Sequence, residues 1–390
     1  MKILVLSFYF APDLCAGSFR CTALVNELTK INNGECEIEI ITTIPNRYSS
    51  FSTQALKHEV DGNLKIHRVP LPNHKSGMFD QAVSFVSYYR AVWQMTTNTK
   101  YDLVFATSSR LFTAFLGARI SRKKKIPLYL DIRDIFVDTL RNVLNPKISF
   151  AVTPFLSLIE KYTFSRATFV NLVSEGFKGY FQQRYPHLKY SYFTNGIDDE
   201  FLEQDGKEGP CAGVQKTILY AGNIGEGQGL HKIIPEFAKL VGSQFAFKII
   251  GDGGRKRELV KAVEDLKLFN VEFLEPMDRA TLIKHYKTAD VLFLHLNDYE
   301  AFKKVLPSKI FEYGALNKPI LAGVAGYSAE FIGENIENAE VFQPCNSGDA
   351  KKALGELSLR SSPRASFVEK YRRTTIMKEM ANSIIIKATN

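Results

Sequence analysis

The sequence predicts an α/β protein made of two doubly wound, Rossmann-like domains that face a cleft. Its 390 residues exceed one typical domain and suit two. Each half opens with an apolar strand, a glycine-containing loop and a helix: residues 2–8 precede Gly17, and residues 217–222 precede the loop GNIGEGQGL. The strands have the continuous apolar runs of parallel strands buried on both faces.

The first domain is predicted at residues 1–202. Its strands are expected at 2–8, 37–42, 65–69, 102–107, 127–130 and 169–174. Its helices are expected at about 18–30, 78–97, 111–122, 145–166 and 175–183. The helix at 78–97 carries an apolar stripe with several aromatic residues, which favours either a packed helix or a lipid-facing surface.

The second domain is predicted at residues 217–366, after a polar, glycine-containing linker at 203–216. Its strands are expected at 217–222, 271–276, 289–294 and 318–322, and a strand, glycine turn and helix at 247–259. Helices are expected at 230–241 and 308–316. A helical segment at 367–390 ends the sequence.

The net charge of +9 is concentrated in the first half of the chain. A basic, aromatic-rich half favours an anionic surface, which a membrane or a nucleic acid provides; a solvated basic face is the alternative. The basic residues are not grouped with an RNA or DNA motif, so nucleic acid is not expected as a partner. We expect instead that the protein makes peripheral contact with a membrane.

The five cysteines are odd in number and form no C-x-x-C pair, which favours a reducing compartment over a disulfide framework. No cleavage site follows the apolar residues 3–11, and the uncharged run at 148–159 is too short to span a bilayer. We therefore expect a cytoplasmic protein that is peripheral on the inner face of the cell membrane.

The segment 295–322 carries the clearest site signal. Ser308 is positioned to cap a short helix whose free N–H groups suit a phosphate. Lys309 lies in its first turn, where a cation needs a nearby anion. Glu312 can accept hydrogen bonds from the hydroxyls of a ribose; its alternative role is to complement the helix dipole.

Glycine-rich loops supply the remaining candidates. Gly222 and Gly225 belong to a loop with four glycines in eight residues, whose amides can face a phosphate. Gly17 follows the first strand, where glycine permits close approach of a ligand, although it could be an ordinary turn glycine. Gly251 begins the glycine turn within residues 247–259. In the segment DIRD, Arg133 lies where a strand ends, as an active-site residue or as part of a structural Asp–Arg network.

These motifs occur in an order that resembles glycosyltransferase family 4, a group of retaining enzymes with the GT-B fold, and in particular its bacterial surface-polysaccharide subgroup. The ordered set is the first glycine loop, DIRD at 131–134, NGID at 195–198, GNIG at 222–225, GDG at 251–253 and PSKIFEY at 307–313. The family has Glu, seven residues, Glu; only the second glutamate, Glu312, is present, and Lys304 replaces the first. The positions where the family has arginine and lysine are Asn223 and Gln228, and Arg133 replaces a histidine.

The resemblance implies transfer of a sugar, with retention and without a metal or other cofactor, from a nucleotide sugar, by similarity a UDP-sugar, to a lipid-linked saccharide. It also implies a C-terminal helix that crosses back to the N-terminal domain. Arg133 and Lys309 are the expected catalytic residues. The expected donor-binding residues are Gly17, Arg20, Gly222, Asn223, Gly225, Gln228, Gly251, Met277, Lys304, Ser308, Lys309 and Glu312, with Lys303 as a further candidate for the diphosphate.

Two rival functions remain open at this point. The departures at Lys304, Asn223 and Gln228 favour a catalytically inactive scaffold that binds a nucleotide sugar in a polysaccharide assembly complex. A nucleotide-sugar 2-epimerase also has the GT-B fold, but the seven histidines match no acid/base pattern of that kind. No Asp-x-Asp motif, P-loop or G-x-S-x-G motif points to another class of enzyme.

Overall fold

The computed structural model describes residues 1–31, 36–45, 54–72, 78–108, 111–143, 146–202 and 215–389; at 78–81, 142–143, 146 and 389 it describes the backbone alone. The chain divides into two compact units. One comprises Met1–Asn195 with Thr374–Asn390, and the other comprises Gly196–Arg373.

The first unit is built on a sheet that has eight strands among the described residues. The strands are β1 (Lys2–Leu6), β2 (Glu37–Thr43), β3 (His58–Asp61), β4 (Leu64–Val69), β5 (Leu103–Thr107), β6 (Leu128–Ile132), β7 (Phe169–Leu172) and β8 (Lys189–Ser191). Their order is β3-β4-β2-β1-β5-β6-β7-β8, and every neighbouring pair is parallel except β3 with β4. β1 is central because its apolar residues are buried on both faces.

Helices cover this sheet between successive strands. They are α1 (Ala16–Lys30), α2 (Met78–Thr96), α3 (Leu111–Lys124), α4 (Phe136–Val143), α5 (Pro146–Phe164) and α6 (Lys178–Arg184). Two aromatic residues of α2, Phe85 and Tyr88, are buried, and the hydroxyl of Tyr88 donates a hydrogen bond to the carbonyl oxygen of Ile41. Tyr88 therefore packs inside the first unit and does not face a membrane.

The second unit is built on a sheet whose six described strands are all parallel. They are β9 (Lys216–Ala221), β10 (Phe245–Ile250), β11 (Val271–Leu274), β12 (Val291–His295), β13 (Ile320–Gly323) and β14 (Ala339–Phe342), in the order β11-β10-β9-β12-β13-β14. The helices are α7 (Leu230–Val241), α8 (Lys256–Asp265), α9 (Arg279–Thr288), α10 (Lys309–Ala315), α11 (Tyr327–Asn335), α12 (Ser347–Glu356) and α13 (Ala365–Lys370). Ile233 and Phe237 of α7 pack with Phe293 of β12 in the core of this unit.

The unit boundaries differ from the expected domain limits at two places. Residues 196–202 belong to the second unit, where the backbone N–H of Ile197 donates to the carbonyl oxygen of Tyr371. Near the C terminus two helices replace the single expected one: α13 belongs to the second unit, and α14 (Arg373–Thr389) belongs to the first from Thr374 onward. Most of the expected linker, 203–214, lies outside the described residues.

Candidate functional site

The candidate residues form two groups, one in each unit. In the second unit, three adjacent parallel strands, β10, β9 and β12, end at the same edge of the sheet. The loops that follow them contain Gly251, the glycine loop 222–229 and the segment that leads to α10. This edge is where ligands bind in open α/β sheets, since the loops at the carboxyl ends of neighbouring strands converge there.

Lys309 and Glu312 form an ion pair at this edge. The Nζ of Lys309 lies 2.8 Å from Oε2 of Glu312 and donates a second hydrogen bond, 2.7 Å long, to the hydroxyl oxygen of the buried Tyr286. A Cβ atom added to Gly222 would lie 3.7 Å from Cε of Lys309, so the lysine stem packs against the glycine loop. The cation, the carboxylate and the loop are therefore at one place.

The surroundings of Lys309 favour its charged form. Burial by itself lowers the pKa of Lys309, but the adjacent Glu312 carboxylate, together with Tyr313 and Tyr220, outweighs burial, and the pKa of the lysine is raised. Within the part of the chain that the structure describes, Oε1 of Glu312 has no hydrogen-bond partner. The pair therefore offers a charged amine and one free carboxylate oxygen.

Backbone conformation explains why glycine is needed at the ends of β9 and β10. Gly251 has φ 142°, and a Cβ atom there would lie 1.9 Å from the carbonyl oxygen of Gly222. No side chain fits into that distance, so the two loops touch through their backbones. The contact brings the loop after β10 against the glycine loop after β9.

Asn223 and Gln228 are hydrogen-bonded to each other. Nδ2 of Asn223 donates to Oε1 of Gln228 over 2.8 Å, and a Cβ atom on Gly225 would lie 2.4 Å from that Nδ2. Gly225 thus leaves room for a neutral amide pair that links the two sides of the loop. This pair occupies the positions at which the resembled family has arginine and lysine.

Glu226, which the sequence analysis did not select, is the centre of the loop's hydrogen bonding. Its carboxylate accepts hydrogen bonds from Nε of Arg255 over 2.7 Å and from the hydroxyl of Tyr299 over 2.6 Å. Nδ2 of Asn297 donates to its carbonyl oxygen over 2.9 Å. The available signal was a single acidic residue inside a glycine-rich loop, but its partners are distant in sequence and could not be read from the pattern.

His295 was also missed as a support of this loop. It is fully buried at the end of β12, where Nδ1 lies 2.6 Å from the carbonyl oxygen of Gln228 and the N–H of Cys345 donates to Nε2 over 2.9 Å. These partners require a neutral ring that donates through Nδ1. Burial lowers the pKa of His295 to about 4.

Acid should weaken the second unit through His295. Because its pKa is about 4 when folded against 6.5 as the ordinary value, its contribution is complete above pH 6.5 and disappears as the pH falls to about 4. The loss amounts to about 3 kcal/mol of unfolding free energy. Denaturant unfolding of the wild type and of His295→Gln should therefore show a stability difference that shrinks over this range. A difference that is independent of pH would contradict a buried neutral histidine.

Other expected donor-binding residues occupy less defined positions. Ser308 precedes α10, but its side chain makes no capping hydrogen bond, so its expected capping role is wrong. Lys303 pairs with Glu300 over 2.5 Å on the surface, and Lys304 ends the short 3-10 helix Phe302–Lys304. Met277 is half-buried in the loop between β11 and α9.

In the first unit, the placement of Arg20 corrects the prediction that it binds the donor. Arg20 is 1% exposed, and its Nε and Nη2 each lie 2.9 Å from an oxygen of Asp131. Its guanidinium also donates to the carbonyl oxygens of Phe193 and Thr194. A side chain that is buried and bonded in this way holds β6 and residues 193–194 against α1, which is a structural role.

Arg133 is half-buried in the DIRD segment and lies beside Gly17. Its backbone N–H donates to Oγ of Ser108, and within the described residues its Nε has no hydrogen-bond partner. A Cβ atom on Gly17 would lie 2.3 Å from Nη1 of Arg133, so glycine leaves room for the guanidinium there. Gly17 and Arg133 thus lie together, whereas Asp131 belongs to the structural pair with Arg20.

Two further findings concern metals and membranes. Across the described ranges, no three His, Cys, Asp or Glu side chains are grouped as ligands for a metal ion. Among the helices of the described residues, none is both long and apolar enough to cross a bilayer.

Solved structures with the same fold cover nearly the whole chain. HepE of Anabaena, solved in complex with UDP, superposes with a TM-score of 0.66 at 18% identity and covers 98% of this chain and 99% of its own. WaaG, a glycosyltransferase involved in lipopolysaccharide biosynthesis, superposes with a TM-score of 0.67 at 14% identity, with 98% and 99% coverage. Two units of this kind, each built on a largely parallel sheet and both covered by these matches, define the GT-B class of glycosyltransferase folds.

Sequence comparisons show to which family of GT-B glycosyltransferases the chain belongs. The family model described as glycosyl transferase 4-like domain matches residues 24–196, and the model described as glycosyl transferases group 1 matches residues 203–374. The chain belongs to the family 4 type of GT-B glycosyltransferases. A stretch of 96 residues is 36% identical to the putative colanic acid biosynthesis glycosyl transferase WcaI of Escherichia coli strain K12; it takes in 25% of this chain and 23% of that protein.

Proposed function

We propose that this protein transfers a sugar from a UDP-sugar donor to a lipid-linked saccharide in the synthesis of a bacterial surface polysaccharide. The observation that carries the proposal is the placement of Lys309, Glu312 and the 222–229 loop at the carboxyl edge of β9 and β12. The UDP bound to HepE, and the lipopolysaccharide and colanic acid pathways named for WaaG and WcaI, support the choice of donor and pathway.

In this proposal the diphosphate is neutralised by the protein itself. The ammonium of Lys309 and the amides of the glycine loop stabilise the negative charge that develops as the nucleoside diphosphate leaves. Oε1 of Glu312 accepts a hydrogen bond from the ribose. A positive group fixed before the reaction, as Lys309 is by Tyr286 and Glu312, needs little reorganisation when the bond breaks. The proposed reaction is therefore independent of a metal ion, and the family resemblance suggests retention.

Turnover of UDP-sugars tests this function. The full-length protein should release UDP from one member of a UDP-sugar panel when a membrane fraction supplies the acceptor, and EDTA should leave the rate unchanged. NMR of the product should show the anomeric configuration of the donor. Loss of activity with EDTA would contradict metal independence, and an inverted product would contradict retention.

The alternative is a scaffold that binds a nucleotide sugar without turning it over. Two departures from the resembled family favour this alternative. The neutral pair Asn223–Gln228 stands where the family has arginine and lysine, and Lys304 stands where it has glutamate. UDP binding measured by calorimetry, together with no UDP release from any member of the panel, would decide for the scaffold. A protein that neither binds UDP nor releases it from any UDP-sugar would have neither of the two functions.

A further inference from the structure

The helix α5 has an outer surface of unusual chemistry. Four large apolar side chains are exposed there: Ile148 by 45%, Phe150 by 86%, Phe155 by 61% and Leu158 by 65%. We call these four residues the outer face of α5. A water-facing helix surface normally carries polar residues, as α7 does with its exposed Lys232, Glu236 and Lys239. Exposed apolar groups that lie together on one helix indicate a surface that another body covers.

The opposite side of α5 is already occupied by the first unit. Leu156 and Ile159 are buried against Leu111 of α3 and Val137 of α4. Glu160, the only carboxylate of α5, is buried and accepts hydrogen bonds from Tyr180 and Tyr185. The helix is therefore held firmly by its inner side, and the outer face of α5 is not needed for its packing.

The exposed charges of α3 and α5 have one sign, while the neighbouring α4 carries both Asp138 and Arg141. Lys147 and Lys161 are exposed near the two ends of α5. The last two turns of α3 carry Arg119, Arg122, Lys123 and Lys124, and α3 contains no acidic residue. The guanidinium of Arg122 lies 5.9 Å from the ring centroid of Tyr162 on α5, which places the basic end of α3 beside α5. An apolar face with cationic neighbours is complementary to a bilayer that contains anionic lipids.

We propose that the outer face of α5 is the surface by which this protein lies on an anionic membrane. The helix lies in the plane of the interface, with Phe150 and Phe155 among the acyl chains and the basic residues at the level of the headgroups. A second copy fits less well, because a symmetric contact would bring the same lysines and arginines of both copies together. The choice of a lipid surface rests on the proposed function, whose acceptor is lipid-linked.

Vesicle binding tests the contact. The wild type should bind vesicles of phosphatidylcholine with phosphatidylglycerol, and the double variant Phe150→Asp/Phe155→Asp should bind them at least about tenfold more weakly. The matched control is Phe269→Asp, which changes a phenylalanine of the second unit that is 99% exposed and should leave vesicle binding unchanged. Equal melting temperatures would show that all variants are folded. Binding by the double variant within about twofold of the wild type would overturn the proposal.

A fluorescence reporter tests the same contact without weakening it. Trp93 is the only tryptophan, so Phe155→Trp in a Trp93→Phe background gives a single probe on the outer face of α5. Its emission should shift to the blue on vesicle binding and should be quenched by lipids that are brominated in the acyl chain. Binding without quenching would place the membrane contact elsewhere and overturn the proposal. The proposal would also be overturned if the double substitution converted a dimeric protein to a monomer and left vesicle binding unchanged, because the outer face of α5 would then be a dimer interface.

This test is independent of the proposed reaction, since vesicles contain neither donor nor acceptor. A protein that binds vesicles through α5 but neither binds UDP nor turns over any UDP-sugar would refute the proposed function alone. A protein that releases UDP normally after the double substitution, with a soluble acceptor, but no longer binds vesicles would support both.

Discussion

Replacing Arg20 by alanine should lower the unfolding free energy by about 3–5 kcal/mol. The side chains of Arg20 and Asp131 are each 2% exposed, so the substitution leaves a buried carboxylate whose main counter-charge has been removed. Nδ2 of Asn171 still donates to Oδ1 of Asp131, but a neutral amide does not balance its charge. Denaturant unfolding of the first unit, followed by circular dichroism, measures the loss.

Arg372→Ala is the matched control for this prediction. Its Nε lies 2.8 Å from Asp199, close to the distance in the Arg20 pair, but the two side chains are 50% and 48% exposed. An exposed pair contributes about 1 kcal/mol or less, so the control should be nearly neutral. Folded Arg20→Ala should also bind UDP as the wild type does. A small loss of stability together with a large loss of UDP affinity would return Arg20 to the donor site.

Lys309→Ala should weaken UDP binding by about 1.5–3 kcal/mol, which is roughly a tenfold to hundredfold rise in Kd. The reason is the loss of a charge-assisted hydrogen bond to the diphosphate. The same substitution should change the affinity for uridine much less, since uridine has no phosphate. Calorimetry with both ligands measures the two effects, and Lys284→Ala, an exposed lysine of α9, is the control. Equal losses for UDP and uridine would contradict a role at the diphosphate.

Glu312→Gln separates the ribose from the diphosphate. If Oε1 accepts a hydrogen bond from a ribose hydroxyl, the variant should bind UDP more weakly, yet it should bind a UDP analogue that lacks the 2′- and 3′-hydroxyls as the wild type does. The two changes remove the same interaction, so their effects should not add. Additive losses would place the ribose away from Glu312. Glu334→Gln, an exposed glutamate of α11, is the control.

Membership of the family and the proposed chemistry therefore rest on different evidence. The family follows from matches over both units and from the shared fold. The chemistry depends on a small number of side chains at the edge of the second sheet, and on Arg133 beside Gly17 in the first unit. The Lys309 and Glu312 variants test two of those side chains one at a time, while the turnover experiment tests the reaction as a whole.

The amino-acid sequence alone determined the class of fold and most of its elements. Continuous apolar runs such as that of β1, and helical periodicity such as that of α2, are local properties, so they can be read without knowing what packs against them. The same holds for the glycine loop after β9. Its neighbours Gly251 and Lys309 could be expected at the same edge because parallel strands end together.

Only the tertiary structure decided which of these residues meet. Arg20 pairs with Asp131, which is 111 positions away in the sequence, and Lys309 bonds to Tyr286, which is 23 positions away. The amide pair of Asn223 and Gln228 forms because the loop folds back on itself over Gly225. Burial and pairing depend on the order of strands and the paths of loops, which periodicity does not specify. For this reason the sequence placed Arg20 at the donor, and the fold places it in a buried ion pair.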